Sequence, residues 1–118
     1  MNDFEAKQSI RQIMLFHRGR VNAIKRRDFC ELLGWKFNST NDRRLREFIT
    51  EIRRGDSMNE PFPILSCPNG YYLPATREEK EAGIKYFNSY IKDACITLRA
   101  LKQGGERYLI GDKQEAML

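Results

Sequence analysis

One stretch limits the fold more than any other. Thr76-Arg77-Glu78-Glu79 has the spacing of a capping box, and Gly104-Gly105 is a firm helix stop. Between them Gly83 alone interrupts the helical pattern. It costs about 1 kcal/mol relative to alanine and marks a place for a kink. A helix over residues 77–103 is about 40 Å long at 1.5 Å per residue. A domain of 118 residues has a radius of gyration of only about 13 Å. A straight helix of that length has to leave the body of the domain or find a partner. Its apolar residues Ile84, Phe87, Ile91, Ala94, Leu98 and Leu101 alternate three and four apart, as in a heptad seam. The flanking Asn88, Tyr90, Cys95, Thr97 and Lys102 lack the opposed charges of a zipper. The expectation is that Ile84 and Phe87 pack on the first helix of the same chain. Ile91, Ala94, Leu98 and Leu101 are then the homodimer contact.

The charge is unevenly placed. Residues 1–59 hold 13 Lys and Arg against 8 Asp and Glu, whereas residues 60–118 hold 8 of each. The whole excess of +5 therefore lies in the first half, where Arg supplies ten of the cations. Arg suits phosphate and guanine edges, because its planar fork matches both. A one-sided basic distribution is the footprint of a nucleic-acid binder, although a solvated surface produces the same count.

Three helices are predicted in that basic half. The first covers about Asp3–Phe16, capped by Asn2 or Asp3, with Ile10, Ile13 and Met14 on one face and Gly19 as its stop. His17 and Arg18 suit its negative end, so His17 reads as a helix-end residue rather than a base. The second runs from about Lys25 to Leu33 and ends at Gly34. Lys25, Arg26 and Arg27 crowd its first turn, where the helix dipole favours anions, which invites an external phosphate. The third, Asn41–Arg54, has the cleanest pattern. Leu45, Phe48, Ile49 and Ile52 fall at i, i+3, i+4 and i+7. Ser39, Thr40 or Asn41 is the expected cap. Its opposite face carries Arg43, Glu47, Thr50 and Arg54, flanked by Arg44 and Arg46, with Glu47 four residues from Arg43 and Glu51 three from Arg54.

A hairpin follows. Residues 63–66 and 71–73 are short β-prone runs around Cys67-Pro68-Asn69-Gly70, whose Pro and Asn-Gly suit a tight turn. The expected organisation is residues 1–75 as one domain, 76–104 as the long helix and 105–118 as a tail, with a mainly α fold and a small β-hairpin.

Several functions are set aside. Cys30, Cys67 and Cys95 form no C-x-x-C pair, and His17 is the sole histidine, so no metal site or cofactor is expected. Without a nucleophile–base pair or phosphate loop, the chain does not read as an enzyme. No apolar run approaches the roughly 20 residues of a membrane helix, and the N-terminus lacks a signal-peptide layout, so a cytoplasmic protein is expected.

Three helices with the third basic on its outer face, then a hairpin, is the order of a winged helix-turn-helix domain. The chain resembles small winged-helix DNA-binding proteins of bacteriophages and bacterial mobile elements. The matching residues are Arg27-Asp28, Leu33-Gly34, Asp42-Arg43-Arg44-Leu45-Arg46, Ile49, Ile52-Arg53, Ile64, Ser66 and Asn69-Gly70-Tyr71-Tyr72-Leu73, spread over roughly residues 10–102. Two features depart from that pattern: Trp35-Lys36-Phe37-Asn38-Ser39 lengthens the turn before the third helix, and the connector before the hairpin is longer.

The resemblance implies a winged helix-turn-helix followed by a long C-terminal helix, acting as a dimeric regulator of transcription or replication on double-stranded DNA. Arg43, Arg44 and Glu47 are the first candidates for base edges, with Asn41 and Thr50 behind them. Lys25, Arg26, Arg27, Arg46 and Arg54 are candidates for phosphates. The alternative is a protein-interaction module on the same scaffold, an inhibitor or adaptor. Trp35, Phe37 and Phe62 would then form its exposed contact surface, whereas burial of these aromatics favours DNA. No stacking motif of the common RNA modules is visible.

Overall fold

Two of the three helices of the basic half begin where a side chain satisfies a free amide. In a computed structural model, which describes residues 1–110, helix α1 covers Asp3–Met14. Asn2 Oδ1 accepts from the Glu5 amide at 2.8 Å, and Asn2 Nδ2 donates back to Glu5 Oε1 at 3.1 Å, closing the expected capping box. A 3-10 turn at Arg20–Asn22 leads to α2, Arg26–Leu32, with Lys25 at its cap position. Helix α3 covers Ser39–Arg54. Its cap is Asn38, one residue before the expected Ser39, Thr40 or Asn41, because Asn38 Oδ1 takes the Asn41 amide at 2.8 Å.

Strands β1, Leu65–Cys67, and β2, Gly70–Tyr72, form an antiparallel hairpin in which Leu65 faces Tyr72 and Cys67 faces Gly70. The strands lie slightly inside the predicted turn, and Pro68-Asn69 connects them. Helix α4 covers Arg77–Gln103, as the capping box and the glycine stop predict, and it continues through Gly83. After it, Gly105 adopts a left-handed conformation and leads into a 3-10 turn at Glu106–Tyr108. Residues 111–118 of the expected tail lie outside the described residues. The architecture is thus mainly helical, with one small hairpin and a long C-terminal helix.

The core joins α1, α2, α3 and the hairpin. Ile10 and Met14 of α1 meet Phe29, Cys30 and Leu33, the four apolar residues of α3, and Ile64, Tyr71 and Leu73. Phe29 sets its ring edge against Tyr71 with centroids 6.3 Å apart. The segment between α1 and α2 extends the hairpin. Ile24 exchanges both backbone hydrogen bonds with Tyr71, at 2.8 and 2.9 Å, while Gly19 donates to the Leu73 carbonyl and Leu73 to that of His17. His17 Nδ1 lies 2.8 Å from the Asn22 carbonyl, which requires a proton on Nδ1 and makes the ring a brace for this segment.

The chain divides into two compact units after Gly83, inside α4, rather than at the expected boundary of residue 75. Two contacts account for this. Glu79 Oε2 accepts from the Arg20 amide at 2.9 Å, and Gly83 lies so close to Leu65 that a Cβ there would sit 2.5 Å from Leu65 Cδ2. The first turns of α4 thereby belong to the first unit. No residue of α4 is buried, and Ile84 and Phe87 of the second unit are 51% and 38% exposed.

Candidate nucleic-acid interface

The apolar face of α3 decides what its other face shows. With Leu45, Phe48, Ile49 and Ile52 all buried, the helix cannot rotate, and the residues half a turn away must face solvent. Arg43, Arg46, Glu47 and Thr50 line one shallow open hollow there. Arg43 and Glu47 are exposed and have no ion-pair partner within 4 Å among the described residues, despite their i, i+4 spacing. Thr50 Oγ1 donates to the Arg46 carbonyl at 3.0 Å, which fixes its rotamer but leaves its lone pairs available. Glu51 pairs with Lys7 of α1 at 2.7 Å rather than with Arg54, so Arg54 stays exposed at the far end of the helix.

The other candidates are placed differently. Arg44 stacks over Trp35, with its guanidinium carbon 4.4 Å from the ring centroid, and over Phe48 at 5.4 Å; Asp3 lies 3.7 Å from its Nη2. It braces α3 toward α1 and does not line the hollow. Asn41 is similarly occupied, because its Nδ2 donates to the Lys36 carbonyl at 2.7 Å and secures the turn between α2 and α3. Arg27 lies over the Phe37 ring at 5.1 Å. Trp35 and Phe62 pack against the core and Phe37 is half-buried, so the three aromatics do not form an exposed cluster.

At the start of α2, Lys25 and Arg26 are exposed. Arg26 is joined to α3 by Asp42, whose Oδ1 lies 2.7 Å from Arg26 Nε and whose Oδ2 lies 3.5 Å from Arg46 Nε. Asp42 was not singled out as a site residue from the sequence, although its i, i+4 relation to Arg46 was a readable signal. Arg53 was missed too. Its Nε donates to the Ile64 carbonyl and its Nη2 to Ser66 Oγ, both at 2.6 Å, tying the hairpin to the end of α3. Burial lowers the Arg53 pKa and raises that of Tyr71, over whose ring Arg53 lies at 5.8 Å. Nothing in the spacing of Arg53 shows a partner eleven residues further along the chain.

Among the described residues no group of His, Cys, Asp and Glu is placed to hold a metal ion, and no helix is long and apolar enough to cross a membrane. Comparison with protein-family models, with curated proteins and with solved structures found no match, so the site is read from this chain's own residues.

Proposed function

We propose that the chain binds double-stranded DNA as a winged helix-turn-helix protein, with α3 entering the major groove and the hairpin as its wing. The observation that carries this reading is the outer face of α3: Arg43, Arg46, Glu47 and Thr50 share one hollow, with Arg43 and Glu47 in no ion pair among the described residues. Arg43 is the candidate for guanine O6 and N7, and Glu47 for a cytosine amino group. Lys25, Arg26, Arg46 and Arg54 are the candidates for phosphates, which position the protein without reading sequence. Arg27 and Arg44, stacked on aromatic rings, rank below them. The wing turn Pro68-Asn69 carries no cation, so its contribution is small. The partial burial of Trp35, Phe37 and Phe62 favours DNA over a protein contact through those rings. The resemblance to phage and mobile-element proteins adds a regulatory role in transcription or replication.

The functional unit in this reading is a homodimer through Ile91, Ala94, Leu98 and Leu101. Ile91, Leu98 and Leu101 are 56%, 52% and 71% exposed, apolar surface of the kind a second copy covers.

The test is duplex binding across a salt series. About six phosphate contacts predict a loss of about 10³ in affinity between 50 and 200 mM salt. Arg43→Ala relaxes sequence preference by about 1–3 kcal/mol at one base pair, while Lys25→Ala weakens all duplexes alike. Undetectable binding to any duplex at low salt refutes the proposal, and the reverse pattern in the two variants refutes the division of roles.

A further inference from the structure

Arg26 and Arg46 belong to different helices, yet both turn the same atom toward the same carboxylate. Arg26 Nε meets Asp42 Oδ1 at 2.7 Å and Arg46 Nε meets Asp42 Oδ2 at 3.5 Å. The carboxylate lies beneath them: the Asp42 side chain is 17% exposed, against 49% and 54% for the two arginines. Its Oδ1 is shut off from solvent and makes no hydrogen bond of good geometry, so the charge contact with Arg26 is what compensates it.

A guanidinium has five N–H donors, and a contact through Nε leaves terminal amino groups to bind elsewhere. One partly covered negative charge facing two guanidinium groups leaves a net positive site. It also removes much of the freedom that two long side chains would lose on gripping a ligand. Two Arg forks presented together suit the oxygens of a phosphodiester. Asp42 itself would repel that ligand, and its Oδ1 is shut off from solvent beneath the arginines.

We infer that Asp42 is a positioning residue that holds Arg26 of α2 and Arg46 of α3 as one clamp for a single backbone phosphate of the bound nucleic acid. This rests on the DNA reading above. It differs from a plain basic patch in what each charge does. In a patch, removing a carboxylate strengthens DNA binding, because the net positive charge rises. In a clamp, removing it weakens binding, because the arginines lose their common anchor.

Duplex binding of the full chain across a salt series tests this, with thermal melts recorded for each variant. Asp42→Asn is expected to bind about tenfold more weakly than the parent at fixed salt while still melting cooperatively. Equal or tighter binding by a folded Asp42→Asn protein overturns the inference. A second measurement does not depend on the fold of that variant. For each bound protomer, Arg26→Ala and Arg46→Ala each lower the salt slope by about 0.9, the share of one phosphate, which is about 1.8 for a bound dimer. The double variant is expected to lose the same amount as either single variant, and a loss twice as large means two separate contacts and overturns the shared clamp. A parent chain that binds no duplex fails the DNA reading itself, whereas a parent that binds with a tighter Asp42→Asn variant fails only the clamp.

Discussion

At the scale of single residues, small geometric facts decide which side chains are free to act. Arg43 and Arg44 are neighbours in sequence with the same chemistry, yet a 100° turn puts one in the polar hollow and the other over Trp35. Gly70 is the most crowded of the described glycines. Its φ is +119°, and a Cβ there would lie 2.0 Å from the Ile24 carbonyl oxygen. That carbonyl accepts the Tyr71 amide at 2.9 Å, so any side chain at position 70 forces apart the joint between hairpin and helices. Gly70→Ala is therefore expected to cost about 3 kcal/mol or more in chemical denaturation. A loss below about 1 kcal/mol would show that the segment before α2 yields easily.

At the scale of elements, the hairpin is the part least able to stand alone. Two strands of three residues are not stable in water by themselves. Ile24 pairs with one side of the hairpin, Arg53 holds Ile64 and Ser66, and Gly83 admits Leu65 against α4. The Arg53 bonds come from a partly buried cation, and charge-assisted bonds of this kind are worth more than neutral ones. Arg53→Ala should lower stability by about 2 kcal/mol. Amide exchange should then quicken at Ile64, Ser66 and Tyr71 before it does in α1 or α3. Uniform loss of protection throughout would assign Arg53 to the whole core instead. Gly83 has a second meaning at this scale: in the sequence it is a weak point of a helix, and in the fold it is the place where the helix meets a strand.

At the scale of the molecule, α4 beyond Gly83 carries exposed apolar residues, Ile91, Leu98 and Leu101 among them. Glutamate in place of Leu98 adds a charge to the centre of the proposed dimer face, at a residue that is not one of the buried core residues. Light scattering after size exclusion is expected to give a dimer for the parent chain and a monomer for Leu98→Glu, with unchanged melting of the first unit. A monomeric parent chain removes the dimer from the proposal and leaves the DNA-facing surface of α3 standing. Much of the frame was legible beforehand, because it rests on local chemistry. The i, i+3, i+4, i+7 pattern of α3, the capping boxes at Asn2 and Thr76, the Asn-Gly turn and the glycine stops act within a few residues. They determined the order of elements and which face of α3 is apolar. The partners of polar groups were not legible, because they lie far along the chain or on another helix. Only the tertiary structure joined Arg26 to Asp42, sent Glu51 to Lys7, placed Arg44 on Trp35 and added Ile24 to the hairpin. Sequence periodicity states which way a residue faces on its own helix, and packing alone states what it meets there.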